Sequence, residues 1–377
     1  MLFKINQVDT NMVYLNEVLK HFIENSVSLS KYQKTALFPV EFIPVHDNEK
    51  NALDKKFKAV FEQVKKLDQT QKKQLKRMYV NQQRTKRLCQ DNTPIVDFSA
   101  YPESLKEKLK SLGEYLYTSG LKNAEIKQLA IDKYGDNNST LYEHWLEFKK
   151  INGVVCCFCG IEDYEEQLPN TSKTKWRPAY DHYLPKEKYP LAAVNFNNLI
   201  PCCYQCNSKA KGAFDPCYCE KSGRKKAKYP FDNSTLLGLK FKFAKEKITG
   251  DGPWVVSLKD ETDESHQSWD RVYKIKERVA SRLNSNYISW LRRHRSDVDK
   301  APDIAGKKAA LRNKAAELIT EVRQQREYIH QANLLVTLSN ESDGIVESIL
   351  QTIQPEPDPL TKQDGHRLLK EHGFSFT

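Results

Sequence analysis

Two Cys-x-x-Cys pairs constrain this chain more than any other feature: Cys156 and Cys159 in CCFCG, and Cys203 and Cys206 in CCYQC. Two thiolates at this separation sit on one tight knuckle and reach one ion, and two knuckles complete a tetrahedral four-sulfur zinc site. Eight of the nine cysteines fall between 156 and 219, and Cys89 alone lies outside. The start, MLFKINQVDTNMVYLNEV, has no continuous apolar stretch, and no run of about 18 apolar residues occurs. The expectation is therefore a cytoplasmic protein without a membrane span, whose cysteines bind metal and do not form a disulfide framework. Redox-active or merely buried cysteines would not require two pairs. The register is open, because Cys157 and Cys202 flank the knuckles and Cys202 with Cys206 is also an allowed spacing. Cys217 and Cys219, one residue apart, read as spare thiols. A closed four-sulfur site has no open coordination position, so this zinc holds the fold and does no chemistry.

A chain of 377 residues exceeds what one core usually organises. Residues 1–150 read as helical: YLNEVLKHFI puts Leu15, Val18, Leu19, Phe22 and Ile23 on one face. Residues 151–232 lose that periodicity to cysteine, proline, aromatic and asparagine, as in a compact loop-rich module. Residues 233–354 carry a hairpin pattern around TGDG in LKFKFAKEKITGDGPWVVSLK, followed by long helices from SWDRVYKIKERV onward. QPEPDP, residues 354 to 359, opens a linker and short helical tail reaching 377. The net charge of +11 favours a polyanionic partner. One helix, KKQLKRMYVNQQRTKR, concentrates Lys72, Lys73, Lys76, Arg77, Arg84, Lys86 and Arg87, which line a phosphate backbone or form a solvated face.

Zinc explains the frame but not what lies within it, RPAYDHYLPKEKYP and NFNNLIPCCYQCNSKAKG. Asp181 offers a hard anionic oxygen and Asn207 an amide oxygen, donors suited to Mg²⁺ or Mn²⁺. His182 is the only histidine between 145 and 265, and a neutral imidazole takes a proton from water at physiological pH. Neighbours on a regular strand face opposite ways, so Asp181 and His182 converge only at a strand end. Pro185 and Pro190 force the chain out of the strand there.

In this order on this frame, the residues resemble the HNH nuclease family, with the match running from 156 to 212. The positions are Asp181 and His182, Asn198 before Leu199, and Asn207 after the second knuckle. The resemblance implies an α+β fold, a mostly helical protein with a central ββα-metal (HNH) module stabilised by the four-cysteine zinc site. One strand would end near Asp181 and His182, a second would run near Asn198 to Pro201, and a helix would carry Asn207 and Lys211. It also implies that Asp181 and Asn207 bind the catalytic Mg²⁺ or Mn²⁺, that His182 activates water, and that Asn198 braces the loop bearing His182. More narrowly, the chain resembles the HNH proteins of Septu-type and retron-associated antiphage defence, which work with an ATPase partner.

Lys209, Lys211, Arg224, Lys225 and Lys226 are the candidates for gripping a substrate backbone, with Lys228 beside them and Arg177 and Lys186 as further guesses. Such contacts give affinity and salt dependence, not sequence specificity. The expected activity is hydrolysis of phosphodiester bonds, with DNA favoured over RNA. The alternatives are a catalytically silent zinc-stabilised adaptor, an RNA-cleaving effector, and a nuclease active only inside a complex.

Overall fold

The computed structural model describes residues 2–90, 98–164, 178–244 and 252–353. Arg177, most of the TGDG turn and the 354–377 tail lie outside the described residues. The chain divides into two compact units, one of Met1–Lys240, Val256–Val279 and Glu321–Ile329, the other of Phe241–Val255, Ala280–Thr320 and the described residues from His330 on.

The first unit begins as helices because its apolar residues recur at three and four. Val13–Ser26 buries Leu15, Val18, Leu19, Phe22 and Ile23 along one stripe. Leu53–Val64 does the same with Leu53, Phe57, Val60, Phe61 and Val64. Phe22, Phe38 and Phe57 knit these segments together, with ring centroids 5.6 Å and 4.8 Å from Phe22 to its two partners. Gln69–Gln83 starts on a reciprocal cap, in which Asp68 accepts from the Gln71 amide and the Gln71 side chain accepts from the Asp68 amide.

The same core takes in Tyr180, Leu191, Val194, Phe196 and Leu199. The segments 1–150 and 151–232, expected as separate domains, therefore share one compact unit. Helix Glu103–Thr118 shows how closely they fit. A Cβ at Gly113 would stand 2.7 Å from the carbonyl oxygen of Pro190 and 3.1 Å from Cβ of Ala193. Glycine is required there by close approach, despite its cost inside a helix.

Sheet structure is sparse. β1, Tyr180–His182, pairs antiparallel with β2, Leu199–Pro201, in the register Tyr180 to Pro201, Asp181 to Ile200 and His182 to Leu199. Leu239–Phe243 and Trp254–Leu258 form the expected two-stranded hairpin. In the second unit, Ile304–Thr320 buries Leu311, Ala315 and Leu318, and Asp343–Thr352 buries Val346, Ile349 and Leu350. The result is mostly helical with small antiparallel sheets, an α+β protein. Among the described residues no helix is long and apolar enough to cross a membrane.

Candidate active site beside a four-cysteine cluster

Each cysteine pair sits on a locally determined turn. After helix Leu141–Asn152, Gly153 adopts a φ of 85°, and Val154 and Val155 both donate to the Arg323 carbonyl at 2.7 and 3.2 Å. The chain then doubles back, with Cys156 donating to the Glu162 carbonyl at 2.9 Å and Gly160 to that of Cys156 at 2.8 Å. At the second knuckle, the Cys206 amide donates to Cys203 Sγ at 3.4 Å. The sulfurs of Cys156, Cys159, Cys203 and Cys206 lie within 4.8 Å of one another, all buried. Zn–S bonds of about 2.3 Å in a tetrahedron put sulfurs about 3.8 Å apart, and Cys159 and Cys203 stand at 3.9 Å. This register answers the alternative through Cys202, which is buried beside the cluster but outside the four. Arg278 donates to Cys206 Sγ at 3.2 Å, a cation placed where four thiolates would carry excess negative charge if they held a divalent metal. Cys217 instead faces Cys89, sulfur to sulfur at 3.9 Å.

The second knuckle runs into a π-helix, Gln205–Lys211, one residue wider per turn than an α-helix. Its geometry closes with the Gly212 amide donating to the Asn207 carbonyl at 3.0 Å and turns Cys206, Ala210 and Lys211 inward. Lys211, 1% exposed, donates to Asp181 Oδ1 at 2.7 Å and to the His182 carbonyl at 2.8 Å. Tyr273 donates to Asp181 Oδ2 at 3.2 Å. Asp181 is 2% exposed; burial pushes its carboxyl above the ordinary range, and the Lys211 ammonium opposes that rise.

His182 ends β1 and faces other neighbours. Its Nε2 lies 2.9 Å from the Ala193 carbonyl oxygen, which only accepts, so Nε2 carries the proton and Nδ1 the lone pair. The Tyr117 ring packs edge-on against the imidazole at 4.4 Å. Burial lowers the His182 pKa to about 4, against the Ala193 bond that raises it, which keeps the ring neutral at pH 7. Asn198, wholly buried, accepts from the Leu184 amide at 2.7 Å and donates to the Leu184 carbonyl at 3.0 Å. It thus clamps the chain two residues past His182. Asn207 is half-buried, and its side chain makes no hydrogen bond among the described residues.

These donors suit a hard divalent ion. A carboxylate offers about four acceptor positions; protein donors fill one on each Asp181 oxygen, and the Asn207 amide oxygen is uncommitted. Lys211 is the unfavourable feature, since its ammonium holds the charge a metal would neutralise.

The candidate substrate grips divide. Lys211 is inside, holding Asp181, and is corrected from a phosphate contact to an internal partner. Arg224 is likewise spent on the carbonyls of Cys217 and Lys225, both at 2.8 Å, and of Leu88. Lys225 pairs with Glu264 at 3.4 Å, and Lys186 pairs with Glu114. Lys228 is buried with Asp232 at 4.0 Å. Lys209 and Lys226 remain exposed. Sequence reasoning missed Tyr273, Arg278 and Ala193. Tyr273 and Arg278 lie in SWDRVYKIKERV, a segment that also sends Trp269 Nε1 to the Phe158 carbonyl at 2.9 Å; its aromatic and basic residues signal contact without naming a target.

Over 64 residues the chain is 34% identical to the Septu protein PtuB of Bacillus thuringiensis, a stretch covering 17% of this chain and 21% of that protein. The match thus spans about a fifth of the relative's length. No protein-family model matches the chain. No solved structure matches it.

Proposed function

We propose that the chain is an HNH-type endonuclease hydrolysing phosphodiester bonds of nucleic acid, with DNA favoured, and that it serves antiphage defence alongside an ATPase partner. The observation that carries the reading is the His182 imidazole, neutral, fixed through Nε2 by the Ala193 carbonyl, and set at the end of a two-stranded sheet whose second strand leads into the Cys203–Cys206 knuckle and Asn207. The similarity to a Septu protein supports the defence role.

In this mechanism the four cysteines would hold a structural zinc, which would fix β2 and the π-helix relative to the first knuckle. His182 takes a proton from the attacking water at Nδ1, while the Ala193 carbonyl stabilises the imidazolium that forms. Asn198 keeps the Leu184 backbone, and with it the end of β1, from relaxing. Asp181 and Asn207 would hold one Mg²⁺ or Mn²⁺, which when bound stabilises charge on the phosphate and on the leaving oxygen.

The Lys211–Asp181 pair favours a second reading within this one, a nuclease silent alone. With one carboxylate oxygen on an ammonium and the residue nearly sealed, binding a divalent ion requires Lys211 to yield, and a partner supplies that change. The test incubates wild type and His182→Ala with plasmid DNA and a structured RNA, in Mg²⁺, Mn²⁺ or chelator, with and without an ATPase of the proposed partner class. Cleavage lost on chelation and reduced about 10² to 10⁴-fold by His182→Ala is expected. Full activity of His182→Ala removes the base assignment, and silence of wild type with its partner removes the nuclease.

A further inference from the structure

The first unit carries a basic cleft that the site above does not use. Helix Gln69–Gln83 ends at Arg84, whose φ of −93° and ψ of 57° leave the helix, and Thr85–Gln90 starts a new one. This elbow borders a cleft of about 620 Å³ lined by Gln83, Arg84, Thr85, Lys86, Arg87 and Asn197, among other residues. Arg84, Lys86 and Arg87 are exposed. None of the described residues lining the cleft is acidic; Asp232 stands nearby, accepting from Gln90 at 2.5 Å, 4.0 Å from Lys228, and within electrostatic reach of Lys86.

Two further observations distinguish the elbow from a merely solvated charged face. Thr85 is 1% exposed, and its hydroxyl has no hydrogen-bond partner among the described residues. Buried hydroxyls are ordinarily satisfied, so an orphan in the wall of a basic cleft points to a bound acceptor. The elbow is also one piece with the loop that positions His182. Gln82 accepts from the Leu191 amide at 2.9 Å, Gln83 donates to the Leu191 carbonyl at 2.7 Å, and Asn195 donates to the Gln83 carbonyl at 3.1 Å. Asn197 lines the cleft, and Asn198 is the clamp on Leu184.

We propose that this cleft is a DNA-backbone site: Arg84, Lys86 and Arg87 contact successive phosphates, with the side-chain NH2 of Asn197, whose oxygen accepts from Gln7 at 3.1 Å, available to phosphate or sugar oxygens. The inference rests on the nuclease reading for its choice of ligand but not for its test. Arginines and lysines in a concave wall, joined by a neutral amide donor, match a sugar-phosphate chain, and their contacts register on it without reading bases.

The experiment measures binding of a fluorescein-labelled 30-base-pair duplex, and of one of its strands, by fluorescence anisotropy without added divalent ion. It compares full-length His182→Ala with the same protein carrying Arg84→Ala, Lys86→Ala and Arg87→Ala, from 50 to 200 mM salt. Circular dichroism checks that both are folded; the three side chains are exposed, so equal melting is expected. Loss of three phosphate contacts is expected to weaken binding at least about tenfold at low salt and to flatten the slope of log K against log salt by about 3. Equal affinity and equal slope in the two proteins overturn the site, whether or not wild type cuts plasmid. So does absence of DNA binding by the parent protein. Selective loss of binding in a protein that never cuts DNA, with or without its partner, leaves this site standing while the nuclease reading falls.

Discussion

Lys211→Met isolates the buried pair at the centre of the site. Lys211 and Asp181 are 1% and 2% exposed and 2.7 Å apart, and the same ammonium also holds the His182 carbonyl. Methionine matches the aliphatic length but leaves Asp181 ionised and sealed with only the Tyr273 hydroxyl. Removing one partner of a buried pair costs about 3 to 5 kcal/mol, which for a unit of this size lowers Tm by roughly 10 °C. The sign of the pH dependence follows from Asp181. Burial already raises its carboxyl against the opposing Lys211, and without Lys211 the rise is larger. A carboxyl whose folded pKa exceeds its unfolded one of about 3.9 is least costly below that value and destabilises increasingly as pH rises toward the folded pKa. The deficit of Lys211→Met against wild type should therefore be larger at pH 8 than at pH 5. Asp181→Asn in the same background removes the stranded charge and should recover about half the loss. Thermal unfolding of wild type, Lys211→Met, Asp181→Asn and the double variant at both pH values supplies the cycle. A Lys211→Met protein that melts within 2 °C of wild type, or whose deficit grows on acidification, would refute the reasoning.

Two other perturbations probe the frame around that pair. One zinc per chain is expected by elemental analysis, lost in Cys156→Ser or Cys203→Ser and retained in Cys202→Ser; loss in Cys202→Ser would overturn the register. Gly113→Ala would stabilise an ordinary helix interior by about 0.5 to 1 kcal/mol. Here the new methyl meets the Pro190 carbonyl at 2.7 Å, so overpacking should instead cost about 1 to 3 kcal/mol in a denaturant titration. A gain in stability would show that the Pro190–Ala193 loop yields freely.

Much of the frame was legible because it is written in local spacing. The cysteine pairs lie within one turn of chain, the helical stripes of Val13–Ser26 and Leu53–Val64 repeat every three to four residues, and Pro185 and Pro190 act on their immediate neighbours. The two strands fell where Asp181, His182 and Asn198 put them, and the side chain of Asn198 closes on Leu184. What the sequence concealed depends on long-range contact. Lys211 read as a surface cation because lysines almost always are; only the widened turn of the π-helix and an aspartate 30 residues earlier bring it inside. Tyr273, 92 residues from Asp181, carries no signal of its partnership at all. Arg224 shows the same failure from the other side, since its guanidinium joins the Cys217 and Lys225 carbonyls of a loop-rich segment to the Leu88 carbonyl of helix Thr85–Gln90.

That asymmetry bears on what the site requires. Residues that resemble catalytic positions were found by pattern, whereas those that decide whether the positions are armed were found only by packing. His182 has its proton placed on Nε2 by the Ala193 carbonyl, in a loop packed closely on Gly113 on one side and bonded, through Leu191 and Asn195, to Gln82 and Gln83 on the other. Asp181 is held in the opposite sense, closed by Lys211 and Tyr273. With His182 as the proposed base and Asp181 capped, the site is one displacement from completion, and that displacement belongs to the π-helix, which carries Cys206, one of the four clustered cysteines, near one end and the capping Lys211 at the other. A partner or substrate that rewinds this one turn would withdraw Lys211 without disturbing the zinc. Activation should therefore leave zinc content and the Cys203–Cys206 knuckle unchanged while exposing Asp181.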